Sequence, residues 1–333
     1  MMPKFFIGPM SKNIVDAVVE YTNDTGVNVG LIPSRRQVEF SGGYVNNWKT
    51  RDFAEYVRSK TQNVMLVRDH AGPMQGNDPD DGTESLKFDI LHFDLIHIDP
   101  WKKAQTYEEG LKDTISLINM CESTNDFSRK NISYEVATEE SIRKFTPEEL
   151  KRFISDLEKS LTCSAFKRIK YLVVQSGTAL EENHNTGEYD KDRLLKMVDV
   201  ARSFGKISKE HNGDYLENKL VKEKFDIGLD SINIAPEFGQ IQTKVYIQKI
   251  EEQCPDAMED FFNICLESGR WKKWVKKDFK PRENKVELIN ICGHYVFSNK
   301  NFLEKVHSRV FGVELDVKNK ITERLIELNE HTT

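Results

Sequence analysis

The stretch Asn63–Pro73, NVMLVRDHAGP, decides how the chain is read. Its first residues form a short apolar run of the kind found in strands buried on both faces of a parallel sheet. Asp69 and His70 follow at once, then the turn residues Gly72 and Pro73. An aspartate and a histidine are costly to bury unpaired. They fit the carboxyl end of a parallel strand, where the chain leaves the core and active-site groups collect.

The same grammar recurs on both sides. Strand-like runs are FFIG (5–8), VNVGLIPS (27–34), NVMLVRDH (63–70), LIHIDP (95–100), ISYEVAT (132–138), IKYLVVQSG (169–177), GKISKEH (205–211) and SINIAP (231–236). Helical segments such as TRDFAEYVRSK and TPEELKRFISDLEKSL lie between them, the latter opening on an N-cap threonine with proline and acidic residues in its first turn. Strict strand–helix alternation requires parallel strands joined by crossovers. Eight such strands favour an α/β fold of the closed (β/α)8 TIM-barrel type over an open sheet. No GxGxxG follows the first strand and no Walker motif occurs, which weakens a nucleotide-binding reading. From about Val245 the residues are helical only. The expected division is a barrel over 1–254 and a helical C-terminal extension over 255–333 packed on it, anchored by Trp271 and Trp274.

Composition narrows the function classes. The chain has 333 residues, 31% of them charged, with a net charge of −6 and both signs interspersed. Nucleic-acid and anionic-membrane surfaces need a basic excess, so neither partner is expected. There is no apolar run long enough for a membrane span and no signal-peptide pattern in MMPKFFIGPMSKN. The 5 cysteines are scattered without any CxxC pair, as expected of buried thiols in a reducing cytoplasm.

Polar residues gather at the inferred strand ends. His97 and Asp99 are two apart and share a face. Glu135 lies in strand five, which leads to Thr138, Glu139 and Glu140. Strand six ends in Gln175 and Ser176, with His184 in the following loop (Thr178–Asp190). Strand seven ends in Glu210-His211-Asn212-Gly213-Asp214, and strand eight carries Asn233 before Glu237. Of 8 histidines, four (His70, His97, His184, His211) lie on this rim. Three imidazoles from separate strands suit a divalent-metal site with an open position. Asp69 beside them is placed for proton transfer. Arg35 and Arg36 offer fork-shaped donors to a phosphate or carboxylate, and Gly42-Gly43 lets backbone approach a ligand closely.

The ordered series QVEFSGGY, RDHAGP, LIHIDP, ATEE, LVVQSG, EHNGDY and WKKW resembles the class II tagatose-bisphosphate aldolase family, in particular its long, so-called non-catalytic subunit. That resemblance implies a lyase of carbohydrate metabolism with a zinc ion. The ion would be held by His70, His184 and His211, polarising a ketose carbonyl and stabilising an enediolate, with Asp69 and Glu139 as catalytic carboxylates. Arg35, Gln37, Gly43, Asp99, Gln175, Asn212, Asp214, Asn233 and Glu237 are the expected contacts to a sugar or sugar-phosphate substrate. As alternatives, the resemblance also implies a stabilising subunit in complex with a short aldolase subunit, and enediolate chemistry on the same site would equally allow a sugar epimerase. A homo-oligomer is also compatible. Strand eight reads NIAPEFG where catalytic short subunits carry Asn-x-Asp-Thr, which points to a different sugar or sugar derivative.

Overall fold

The computed structural model describes residues 2–128, 131–181 and 184–332, with the side chains of 125–128 left aside. Ten strands are β1 (Phe5–Ile7), β2 (Gly30–Leu31), β3 (Met65–Ala71), β4 (Leu95–Ile98), β5 (Ser133–Val136), β6 (Ile169–Val174), β7 (Leu180–Glu181), β8 (His184–Asn185), β9 (Ile207–Glu210) and β10 (Ser231–Ile234). Eight of them close a parallel barrel in the order β1-β10-β9-β6-β5-β4-β3-β2. Closure is made by β1 against β10, with Phe5 opposite Ile232 and Ile7 opposite Ile234. The chain is therefore a (β/α)8 barrel with a helical C-terminal extension. Among the described residues no helix is long and apolar enough to cross a membrane.

Two details depart from the sequence reading. The expected strand over 27–34 is continuous only at Gly30–Leu31, with an isolated parallel bridge further on between Ser34 and Asp69. Gly30 is needed there because a β-carbon would lie 2.1 Å from the Phe6 ring. Pro33 then turns its carbonyl to other partners, accepting from the Asp69 amide and the Arg68 guanidinium. The loop after β6 forms its own small antiparallel hairpin, β7–β8, with Glu181 opposite His184. Residues 182 and 183 of that loop lie outside the described residues.

Period-two alternation stacks the barrel interior in layers. The floor is apolar: Phe6, Ile32, Val67, Leu95 and Tyr171 pack together. Above it, Lys209 and Glu135 form a fully buried ion pair at 2.7 Å, with the lysine ammonium 4.0 Å from the Phe6 ring centroid. Two residues further along their strands stand His97 (above Leu95) and His211 (above Lys209), at the mouth. The larger core lies outside the barrel, between strands and helices. There Arg68, pointing outward from β3, is held by both oxygens of Asp89 at 2.8 and 2.9 Å.

The helix Pro147–Ser160 has the capping box its sequence announces, closed between Thr146 and Glu149. After the helix Pro236–Gln253 the chain is helical to its end. The last helix, Val313–Glu330, packs on helices Lys12–Thr25 and Pro236–Gln253. Arg324 fastens it by donating to Glu237 Oε1 at 2.6 Å. Four cysteines are buried and Cys163 is exposed; none is in a disulfide.

Candidate metal centre and active site

Strand alternation should send Asp69 and His70 to opposite faces. The structure breaks it there. The β3–β4 register shifts between Arg68 and Ala71, and His70 takes the left-handed conformation with φ 47°. This β-bulge geometry re-aims a side chain, and a non-glycine residue in that region is strained. Both side chains consequently line one cavity of about 220 Å3. Gly72, with φ 144°, then passes so close to the Asp99 carbonyl that a β-carbon would come within 2.8 Å.

His70, His97 and His211 stand at the corners of a nearly equilateral triangle, with ring centroids 4.9, 5.0 and 5.2 Å apart. Each has one nitrogen secured. His70 Nδ1 lies 2.6 Å from Asp99 Oδ2. His97 Nε2 meets the Ala137 carbonyl at 2.9 Å, and Ala137 itself has φ 77°. His211 Nε2 meets Glu135 Oε1 at 2.8 Å. Such oxygen partners fix the tautomer and leave the opposite nitrogen as a lone-pair donor, the usual outer shell of a metal-binding histidine. The facing atoms of Asp69, His70, His97 and His211 all lie within 4.8 Å of one another. Asp69 sets one oxygen 3.8 Å from His70 Nε2 and the other 3.9 Å from His97 Nδ1. Its Oδ1 is buried without a hydrogen-bond partner. The residues therefore fit a divalent cation: three nitrogens, a carboxylate, and an open side facing the cavity.

The electrostatics follow from the carboxylates around the cluster, and a cation there would have to displace the second proton they favour on His70. Burial works against an ionised Asp69, but His70, His97 and His211 outweigh it and hold the carboxyl below the usual range. Burial also opposes the charge on His70, yet Asp69 and Asp99 push its pKa up to about 10. Burial lowers the His211 pKa despite Glu135.

The expected site residues divide into two groups. Asp69, His70, Glu139, His211, Gln37, Asn212, Asp214 and Asn233 all line the cavity. Asn233 leaves both side-chain polar atoms buried and unpartnered there. His184 is not brought to the group: it is exposed on the β7–β8 hairpin, and His97 holds the third position instead. Arg35 is likewise engaged elsewhere, buried between Glu39 and Asp80 at 2.7 and 2.5 Å; the cavity wall receives Arg36. Gly43 is a packing glycine, its α-carbon pressed on the Gln37 backbone. Asp99 serves His70 from behind. Gln175 spends its amide on the Phe145 amide and the Thr138 and Arg143 carbonyls. Glu237 accepts from the Tyr215 amide at 2.6 Å and from Arg324, so its carboxylate is taken up in structure. Asp214 accepts from the Ala235 and Glu237 amides, both at 2.8 Å, at the start of the helix after β10.

The far wall of the cavity is not foreseen in the sequence, where WKKW has only an anchoring place in the extension. Lys273, Trp274 and Tyr295, all from the C-terminal extension, reach the cavity. Trp274 donates its indole N–H to the Tyr295 hydroxyl at 3.1 Å, and Tyr295 packs on Tyr44 at a 5.0 Å ring distance.

No protein-family model matches the chain, and no curated protein matches it in sequence. Solved structures match it in fold. A structure described as a "probable tagatose 6 phosphate kinase" from Sinorhizobium meliloti superposes with a TM-score of 0.74 at 14% identity, over 99% of this chain and 100% of that one. The fructuronate-tagaturonate epimerase of Cohnella laeviribosi gives 0.62 at 11% identity, over 98% of this chain and 81% of that one. A fructose-bisphosphate aldolase of Campylobacter jejuni gives 0.57 at 15% identity, over 98% and 90%.

Proposed function

We propose that the chain is a divalent-metal-dependent enzyme of the class II aldolase type, making or breaking a carbon–carbon bond beside the carbonyl of a sugar or sugar phosphate. One observation carries this reading: His70, His97 and His211 bring one ring nitrogen each to within 4.8 Å of one another, beside the Oδ1 of Asp69, which has no hydrogen-bond partner among the described residues. Those three histidines would hold the ion, zinc by preference for their nitrogen donors. Bound there, it supplies Lewis-acid polarisation of a substrate carbonyl. His97 Nδ1 accepts only a long 3.3 Å contact from the His70 amide, so its lone pair is weakly engaged.

The remaining work falls to the chain. Asp69, kept ionised by the imidazoles, takes a proton from the substrate and returns it. Glu139, on the same cavity wall, is the second carboxylate in reach. Asn233 has a free amide donor and acceptor for sugar hydroxyls. Arg36 and Lys273 supply positive charge at the mouth. Fold likeness to an aldolase and to a sugar-acid epimerase supports sugar chemistry in general terms. The two cavity carboxylates also favour a second reading, epimerisation, in which one group removes a proton and another restores it. The convergence of three imidazoles and Asp69 favours a working site over a subunit that only stabilises a shorter aldolase.

The test is metal analysis of the purified chain joined to product analysis with ketose phosphates and keto-sugar acids. The expected result is one equivalent of divalent metal, turnover lost on chelation and regained with zinc. Shorter fragments identify cleavage, and a conserved carbon count identifies epimerisation. A chain that takes up no metal on reconstitution sinks the proposal.

A further inference from the structure

Beside the metal cluster lies a second, wider pocket of about 490 Å3, which shares Ser34, Arg36, His70, Glu139 and Lys273 with the inner cavity. Its distinguishing feature is charge. Arg36 and Lys102 come from loops of the barrel, and Lys273 from the short turn Arg270–Lys273 of the C-terminal extension. Among the described residues none of the three forms an ion pair with a carboxylate. Each is nevertheless positioned by one contact. Arg36 Nε donates to the Gly76 carbonyl at 3.1 Å, which leaves the terminal nitrogens of its fork free. Lys102 Nζ donates to the Met74 carbonyl at 2.6 Å. The Lys273 ammonium lies 4.1 Å from the Trp274 ring centroid. Partial burial, then mutual repulsion with Arg36, depresses the pKa of both lysines, Lys273 to about 8. Like charges held together without a counter-ion are stabilised by an anion that fills the space between them.

We propose that this outer pocket is a subsite for the phosphate group of the substrate, bound by Arg36, Lys102 and Lys273, with the last supplied by the C-terminal extension. The assignment rests on the reading of the chain as a sugar-converting enzyme. A phosphate ester carries close to two negative charges and three acceptor oxygens at neutral pH. Glu139 contributes one negative charge to the wall but bonds to the Ser141 hydroxyl at 2.6 Å, so a net positive charge remains for the ligand. A carboxylate, with one charge and two oxygens, leaves a cation unanswered. Because Arg36 and Lys273 border both pockets, a phosphate held by them directs the rest of the substrate toward Asp69 and His70. The extension then selects substrates by their charged end while the barrel performs the chemistry.

Calorimetric titration of the full chain with inorganic phosphate tests this, in zinc-loaded and chelator-treated protein. The expected result is one phosphate per chain, retained after chelation, weakened roughly tenfold or more in Arg36→Gln and in Lys273→Gln. Lys277→Gln, an exposed lysine outside the pocket, should bind as the parent does, and thermal melts check that all variants are folded. Phosphate binding that disappears on chelation would place the anion on the metal and overturn the proposal. So would unchanged affinity in both pocket variants, or acetate binding as tightly as phosphate. Retained phosphate binding in a chain that takes up no metal would support the subsite while removing the metal reading.

Discussion

The ammonium of Lys209 lies 2.7 Å from Glu135 Oε2 with neither side chain reaching solvent, and the other oxygen of Glu135 holds His211 Nε2 at 2.8 Å. A buried ion pair under the mouth thus sets the orientation of His211, one of the three proposed metal ligands. Lys209→Met removes the compensating charge and leaves the buried Glu135 carboxylate with only its contact to His211. The expected cost is about 3–5 kcal/mol of stability, with metal affinity weakened about 10–100-fold through the misplaced His211. Urea unfolding and a metal-binding titration read the two effects separately. A variant as stable as the parent would mean that His211 alone suffices for Glu135.

The structure separates two histidines that look alike in sequence. His97→Ala should reduce bound divalent metal below one equivalent and abolish turnover. His184→Ala, on the exposed hairpin, should leave both within about twofold of the parent. Metal content by atomic spectroscopy decides the matter, and the reverse pattern would return the third position to His184.

Asp69→Asn keeps the shape of the side chain and removes its basicity. If Asp69 moves the proton, the variant retains metal and loses about 10²–10⁴ of its turnover. Loss of the metal itself would show that Asp69 is a ligand rather than a base.

His294, packed on Tyr295 at a 4.0 Å ring distance, gives a pH dependence of stability. Both of its ring nitrogens are buried without a partner, and burial, with a smaller push from Lys273, brings its pKa down to about 3. The unfolded chain titrates this group near the ordinary value of about 6.5. Below that pH the unfolded state binds a proton that the folded state refuses, so stability falls as pH drops from about 6.5 toward 3, at up to ~1.4 kcal/mol per pH unit. His294→Phe should remove that part of the slope. Unfolding curves of parent and variant across this range check it, and identical slopes would refute the assignment.

Much of the barrel is legible in the sequence itself. Most of the eight strands announce themselves as short apolar runs bounded by turn residues, while β9, Ile-Ser-Lys-Glu, is legible mainly from its place in the alternation. The placement of His97 above Leu95 and of His211 above Lys209 follows from the period of two. Departures from that period are what local pattern cannot carry. Nothing in RDHA specifies the left-handed turn at His70, because the bulge comes from the pairing with β4. His184 stands in the right order for a ligand, but its loop folds back on itself as a hairpin. Arg35 and Arg36 are adjacent and chemically identical. Only the positions of Glu39 and Asp80 determine that one is structural and the other faces the cavity. Lys273 escapes a sequence reading because no local pattern ties a turn in the extension to a mouth formed far earlier in the chain.

The closure of β1 on β10 has a consequence for the order in which this protein comes into being. During synthesis the first strand meets β2 early but must wait for more than two hundred residues before its closing partner β10 emerges, a delay that favours slow maturation through partly open intermediates. The three histidines sit on β3, β4 and the end of β9, so they converge only when the ring is nearly complete. Acquisition of metal affinity should therefore mark a late step. A zinc-responsive dye followed during refolding would serve as a clock for barrel closure.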